Sequence, residues 1–177
     1  MKQESVRKLV YTALCIGLGL VLPTVFHFFG AGAGKVFLPM HIPVLLCGFV
    51  AGPAYGLACG VILPLLSAAV TGMPPLFPMG LAMALECGAY GLATGWLYAR
   101  WRRVYPSLLL AMAAGRVVSG LANALFMGLA GNPYTLSVWM AGAFVTPIPG
   151  ILIQLVLVPA LVYALERSGI LAKPRRA

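Results

Sequence analysis

Two oppositely charged side chains, Glu86 and Arg116, each lie at the edge of a long uncharged stretch of this sequence. Residues 36–85 and 117–165 contain no Asp, Glu, Lys or Arg. An ionised group at membrane depth is costly, so it is usually paired or functional. The pair could be a structural ion pair that holds two helices together. One or both could instead face a cavity, where Arg116 would suit a ligand carboxylate as a bidentate donor.

Other polar and aromatic side chains could converge with this pair on one pocket. Asn123 lies seven residues after Arg116 and therefore on the same helical stripe. Thr146 precedes Pro147 and Pro149, which interrupt the helical hydrogen-bond ladder. The other candidates are Lys35, His41, Phe77, Tyr90, Tyr134 and Trp139, and a deeper amide, Gln154. Polar side chains in such places often only join helices, so packing is the alternative for each of them.

The elements that must position these residues are membrane helices. Hydrophobic residues make up 62% of the 177-residue chain and charged residues 8%, which is typical of a polytopic membrane protein. Each uncharged stretch is long enough to cross a hydrocarbon layer of ~30 Å twice. We expect one transmembrane domain over residues 1–177, with no separate soluble domain.

The hydrophobic pattern predicts an all-α bundle of six transmembrane helices. Their expected ranges are 8–28, 38–51, 54–71, 79–99, 107–130 and 138–165. The second helix is short and bounded by Pro39 and Pro43, so its entry should be irregular. The connection Gly30–Gly34 is expected to be flexible, and the apolar segment Met73–Pro78 would suit a lid over a pocket.

Clusters of basic residues predict the orientation of the bundle. They lie at the N-terminus, in the turn after the fourth helix, and near the C-terminus, and even numbers of helices separate them. Because basic residues concentrate on the cytoplasmic side, we expect a multi-pass membrane protein with both termini in the cytoplasm. The members are Lys2, Arg7, Lys8, Arg100, Arg102, Arg103, Arg167, Lys173, Arg175 and Arg176.

Small residues at four-residue spacing indicate close helix contacts. Gly91 and Gly95 have this spacing in the fourth helix, and Gly88, three positions before Gly91, extends the row. Ala13 and Gly17 have the same spacing in the first helix, where they could pack inside this bundle or dock a partner membrane protein.

Motifs for catalysis are missing from the sequence. It has three acidic residues, and neither a His-Glu-x-x-His, a Gly-x-Ser-x-Gly nor a Walker motif occurs. We therefore do not expect an enzyme or an ATPase. The remaining alternatives are an integral-membrane enzyme or accessory that uses Glu86 and His41, and a stand-alone carrier of small solutes.

Several segments resemble the S components of the energy-coupling factor (ECF) vitamin transporters of bacteria. They are the run Leu38 to Phe49, the motif Gly52-Pro53-x-Tyr55-Gly56-Leu57, the run Thr71 to Pro75, and Met83-Ala84-Leu85-Glu86-x-x-x-Tyr90-Gly91. The resemblance extends from Tyr11 to about Leu165.

The resemblance implies a high-affinity vitamin-binding subunit of six helices with both termini inside. The loops after the first, third and fifth helices would close its outward-facing pocket. Transport would need a transmembrane coupling protein and two cytoplasmic ATPases, so the chain itself would need no cofactor or metal. Ala13 and Gly17 match the family's Ala-x-x-x-Ala contact with the coupling protein, with glycine at the second position.

The resemblance also suggests a subgroup. The segment Leu38–Pro43 is most similar to forms assigned to pantothenate or pyridoxine-like compounds, and we favour pantothenate. Its carboxylate would pair with Arg116 or Lys35, and its hydroxyls with Asn123 or Thr146. Pyridoxine, hydroxymethylpyrimidine or folate would instead stack on aromatic side chains, which are Phe77, Tyr90, Tyr134 and Trp139.

Overall fold

The bundle is described here from a computed structural model, which covers residues 2–27, Gly30 and residues 32–171. The predicted end of the first helix at 28, Ala31 of the glycine-rich connection, and the basic residues Lys173, Arg175 and Arg176 lie outside the described residues.

Across the described ranges the chain forms α-helices and two π-helical turns, and no strand. The helices are α1 (Lys2–His27), α2 (Ala33–Phe37), α3 (His41–Ala51), α4 (Pro53–Thr71), α5 (Leu81–Trp101), α6 (Val104–Leu129), α7 (Leu136–Met140) and α8 (Ile148–Arg167). The π-helical turns are Leu76–Gly80, before α5, and Ala141–Val145, after α7.

Six helical segments of the described chain are long and apolar enough to cross a membrane. They are Gln3–Phe26, Ala33–Ala51, Pro53–Thr71, Leu76–Trp101, Val104–Leu129 and Ile148–Arg167. Each corresponds to one predicted helix, so the expectation of an all-α bundle of six membrane-spanning helices is confirmed.

The second membrane segment differs from the single helix predicted over 38–51. It consists of α2 and α3, which are separated at Leu38, whose φ of 49° and ψ of 47° are left-handed. Pro39 follows directly and lacks an N–H group, so a continuous helix would lose a hydrogen bond there. Residues 33 and 34 belong to α2, so the prediction of a flexible connection through Gly34 was wrong in that part.

The last predicted helix, 138–165, is also divided. The helix α7 and the turn Ala141–Val145 precede Pro147, and α8 starts at Ile148. Pro147 and Pro149 cannot donate backbone hydrogen bonds to the preceding turn, so the chain starts a new helix at this point.

Glycines bring α4 and α5 into backbone contact. Gly91 of α5 faces the backbone of Gly56 of α4, and a Cβ added at Gly95 would lie 2.5 Å from the nitrogen of Pro53. The predicted close contact of the Gly88, Gly91 and Gly95 row is therefore present, and it is internal to the bundle. Because α4 and α5 approach each other closely, α3 packs against both of them and against α1.

The helix α3 forms the centre of the hydrophobic core. Val44, Leu45 and Cys47 are fully buried, and α3 packs against α1, α4, α5 and α8. Because α3 is enclosed, its first residue, His41, has a fixed position at the end of the bundle where α2 and α7 lie.

Candidate ligand-binding site

A cavity of about 360 Å³ opens among the ends of α1, α4 and α5, the middle of α6, and the segments α2 and α7. Its size falls in the range of small-molecule sites. Eight residues singled out from the sequence line it, namely Lys35, His41, Glu86, Arg116, Asn123, Tyr134, Trp139 and Thr146. The helices thus bring together side chains that are up to 111 positions apart in the sequence, from Lys35 to Thr146.

Two predicted site residues do not line this cavity. Phe77 is half-exposed and packs edge-on against Phe126, with ring centroids 6.2 Å apart. Tyr90 is buried behind the cavity wall, where its hydroxyl donates to Glu86 Oε1 at 3.2 Å. Gln154, the deeper amide, is also buried away from the cavity lining.

The base of the cavity contains an ion pair between α5 and α6. Arg116 Nη1 donates to Glu86 Oε1 at 3.0 Å, and both side chains are less than a tenth exposed. The structural pairing considered from the sequence is therefore present. Both residues also face the cavity, so the pair can hold the helices and contact a ligand at once.

Glu86 accepts hydrogen bonds from three side chains. Besides Arg116 and Tyr90, Ser119 Oγ donates to Glu86 Oε2 at 2.8 Å. This set of donors suits an ionised carboxylate, which only accepts hydrogen bonds. Glu86 therefore fixes the positions of the surrounding side chains and offers little further accepting capacity to a ligand.

Polar nitrogens of Arg116 and His41 remain without partners at the cavity base. Arg116 Nη2 and both ring nitrogens of His41 are buried and make no hydrogen bond. His41 Nε2 lies 3.6 Å from Glu86 Oε1, which is too far for a hydrogen bond. An unsatisfied buried polar group costs about 1–3 kcal/mol. Acceptor atoms of a ligand that reached these groups would satisfy Arg116 Nη2 and the N–H of His41, whereas the other ring nitrogen of a neutral imidazole needs a donor.

Ser119 is a polar cavity residue that was not singled out from the sequence. It joins Glu86 to Asn123, whose Nδ2 donates to the Ser119 carbonyl at 2.8 Å. The sequence could have indicated Ser119, because it is three residues after Arg116 and four before Asn123 and therefore lies on the same helix face.

Trp139 forms an anchored wall of the cavity. Its indole Nε1 donates to the Arg116 carbonyl oxygen at 3.2 Å, and its ring packs on α6 at Gly120. A Cβ added at Gly120 would lie 2.7 Å from Trp139 Nε1. On the far side of Trp139 is an apolar groove between α6 and α7, lined by Val117, Leu121, Ala124 and Leu136 among others.

Thioether side chains form another part of the wall. Met40, Met73, Met79 and Met83 all line the cavity, and sequence reasoning did not single out any of them. Met73 belongs to the segment expected to act as a lid. Unbranched methionine side chains adapt easily to the shape of a ligand.

Cationic side chains outnumber carboxylates around the cavity. Lys35 and Arg116 are positive, whereas Glu86 is the only carboxylate among the residues that line it. Since Arg116 is already paired with Glu86, the ammonium group of Lys35 is the uncompensated charge. The cavity thus favours an anionic ligand.

Ala13 and Gly17 do not line this cavity, and both lie on the exposed face of α1. A Cβ added at Gly17 would meet no atom within 4 Å. Of the two interpretations made from the sequence, packing inside the bundle does not apply, and this face of α1 is free for a partner helix.

Comparison with known proteins gives one family. The family model described as "ECF transporter, substrate-specific component" matches residues 7–162. No curated protein and no solved structure gives a significant match to the chain.

Proposed function

This chain belongs to the substrate-specific components of ECF transporters, and on that premise we propose that it is the high-affinity binding subunit of an importer for a water-soluble B vitamin. Members of this family are the substrate-binding subunits of transporters. They bind a small-molecule substrate and work together with an ECF module. The observation that carries the proposal is the cavity at whose base Arg116 Nη2 and His41 lack hydrogen-bond partners.

The proposed ligand carries a carboxylate and hydroxyl groups, as pantothenate does. Lys35 supplies the charge for the carboxylate, because Arg116 is partly neutralised by Glu86 at 3.0 Å. Arg116 Nη2 and His41 would donate to carbonyl or hydroxyl oxygens, and Asn123 and Thr146 line the same cavity. The methionine side chains would contact the aliphatic part of the ligand.

Ring-shaped vitamins have less support. Of the aromatic residues expected to stack on pyridoxine, hydroxymethylpyrimidine or folate, Tyr134 and Trp139 line the cavity, whereas Phe77 and Tyr90 do not. Trp139 is also engaged with Arg116 through its indole nitrogen. These vitamins remain the alternatives within the same function.

The protein is multi-pass in the membrane, and we place it in the bacterial cell membrane with both termini in the cytoplasm. The basic residues Arg7, Lys8, Arg100 and Arg167 support this orientation, since they fall on one side of a six-span bundle. The cavity then opens outward. The chain has no enzymatic activity in this proposal, and ATP is hydrolysed by two cytoplasmic partner subunits that act through a transmembrane coupling protein.

Binding of pantothenate to the purified full-length protein should depend on Lys35. We expect Lys35→Gln to weaken binding about five- to tenfold, because a charge-assisted contact is lost from a partly solvated site. Isothermal titration in detergent measures this effect. Lys8→Gln, which removes a lysine on α1 far from the cavity, should bind like the wild type.

The same titrations separate the ligand assignment from the function. If pantothenate does not bind but a ring-shaped vitamin binds with equal affinity to wild type and Lys35→Gln, the carboxylate assignment is wrong. If no B vitamin binds at micromolar concentration, the proposed function itself is wrong.

A further inference from the structure

The turn between α5 and α6 concentrates positive charge that forms no ion pair with a carboxylate of the described chain. Arg100, Arg102 and Arg103 are all exposed and lie within four positions of one another. The ion pairs found across the described ranges are Lys8–Glu4 and Arg116–Glu86, and neither involves this turn.

Arg102 has an unusual and well-defined position in this turn. Its φ of 53° and ψ of 28° are left-handed, and its backbone N–H donates to the Tyr98 carbonyl at 2.9 Å. The left-handed backbone conformation is unfavourable for most residues other than glycine, asparagine and aspartate. The guanidinium lies 5.7 Å from the centroid of the Tyr98 ring, within the range of a cation–π contact.

Tyr98 is a rigid platform for this guanidinium. Its side chain is 3% exposed, and Phe49 packs edge-on against it with ring centroids 5.1 Å apart. Its hydroxyl donates to the buried carboxylate of Glu166, which joins the end of α5 to the end of α8. Glu166 is therefore engaged by the tyrosine, and no ion pair links it to Arg102.

Exposed aromatic residues flank the arginines. Trp101 is 44% exposed and Tyr105 is 48% exposed, on either side of the turn. The turn itself is short, because α5 ends at Trp101 and α6 begins at Val104. It joins two apolar membrane-spanning helices, so these residues lie at the depth of the lipid headgroups, where tryptophan and tyrosine are enriched.

We propose that Arg100, Arg102 and Arg103 form a binding site for the phosphate of an anionic phospholipid, with Trp101 and Tyr105 against the adjacent glycerol and acyl region. Guanidinium groups match phosphate oxygens in a bidentate geometry. Basic pockets between membrane helices on the cytoplasmic side bind anionic lipid headgroups. The anchoring of Arg102 on Tyr98 orders one of the three phosphate-binding groups in advance. This inference concerns the lipid and does not depend on which nutrient the cavity binds.

The test is native mass spectrometry of the full-length protein released from micelles that contain equal amounts of phosphatidylglycerol and phosphatidylcholine. We expect the wild type to retain phosphatidylglycerol preferentially. The double variant Arg100→Gln with Arg103→Gln should lose at least about fivefold of this preference. Arg7→Gln with Arg167→Gln removes the same charge from exposed positions on α1 and α8, and it should behave like the wild type.

Arg102→Gly tests the anchored residue without disturbing the turn, because glycine adopts a positive φ readily. We expect it to fold normally and to lose part of the preference for phosphatidylglycerol.

Three results would overturn the proposal. One is an equal loss of preference in the control variant Arg7→Gln with Arg167→Gln, which would show that only the total charge of the protein matters for lipid binding. Another is full preference in Arg102→Gly. The third is displacement of the lipid by inorganic phosphate at a matched concentration, which would indicate a general anion site.

Discussion

Replacing Arg116 with methionine should lower the free energy of unfolding by about 3–5 kcal/mol, because it leaves the carboxylate of Glu86 buried without its charged partner. Methionine retains most of the length of the arginine side chain, so the loss of packing is small. Ser119 and Tyr90 would still donate to Glu86, but neither carries a charge. Thermal unfolding of the purified protein, followed by circular dichroism, measures the effect.

A matched control and a second variant show whether the charge pair is responsible. Leu121→Met, at an exposed position of α6, should unfold like the wild type. The double variant Glu86→Gln with Arg116→Met should recover most of the lost stability, since it removes both charges together. Wild-type stability in the single variant Arg116→Met would show that the pair does not hold α5 and α6 together.

The double variant Glu86→Gln with Arg116→Met also separates the structural role of Arg116 from its role in binding a ligand. The double variant restores stability but still lacks Nη2, so its ligand affinity should remain reduced by about 30-fold or more. If the stable double variant binds the vitamin as well as the wild type does, Arg116 acts only as a structural residue.

Introducing leucine at Gly17 should abolish association with the coupling protein and hence vitamin uptake, while ligand binding by the isolated subunit is retained. The face of α1 around Gly17 is open, with no atom within 4 Å of an added Cβ, so the larger side chain fits in the isolated chain. A partner helix that approaches the Ala13 and Gly17 positions closely would be displaced.

Co-purification of the tagged subunit with its coupling protein and ATPases measures the association, and uptake into proteoliposomes measures transport. Gly128→Leu is the matched control, because Gly128 on α6 also has open space at its Cβ. Retained assembly together with lost vitamin binding in Gly17→Leu would contradict the assignment of this face of α1.

The six membrane-spanning helices could be predicted because their signal is long and redundant. Residues 36–85 and 117–165 carry no charge, and no arrangement other than repeated membrane crossing accommodates so much apolar sequence. The breaks were harder to predict. The helices α2 and α7 are each five residues long, which is shorter than the windows over which hydrophobic periodicity can be recognised.

The sequence indicated some of the side chains that the fold brings together around the cavity. An ion pair between Glu86 and Arg116 was one of two alternatives predicted from the sequence, and the two side chains meet at 3.0 Å. Tyr90 was placed in the site as an aromatic side chain that could stack on a ring-shaped vitamin, but a residue four positions along a helix contacts its neighbour on the same face. Its hydroxyl is therefore used by Glu86, and it does not line the cavity.

The methionine wall could not be predicted from the sequence, because apolar side chains carry no mark that distinguishes a cavity wall from lipid contact. Met79 lies in the π-helical turn before α5 and Met83 lies on α5, but the face on which Met83 lies could equally have pointed to lipid. Its direction depends on the packing of α5 against α4 through Gly91 and Gly56. Only the assembled bundle shows which face that packing turns inward.

The central claim is that this membrane-embedded helix bundle holds a small nutrient between Lys35 and the Glu86–Arg116 pair. The most direct measurement is mass spectrometry of the small molecules released when the purified full-length protein is denatured. We expect a B vitamin in near-stoichiometric amount, with pantothenate as its identity, and we expect it to be lost in Arg116→Met. The absence of any vitamin from the wild-type protein, together with no vitamin binding at micromolar concentration, would contradict it.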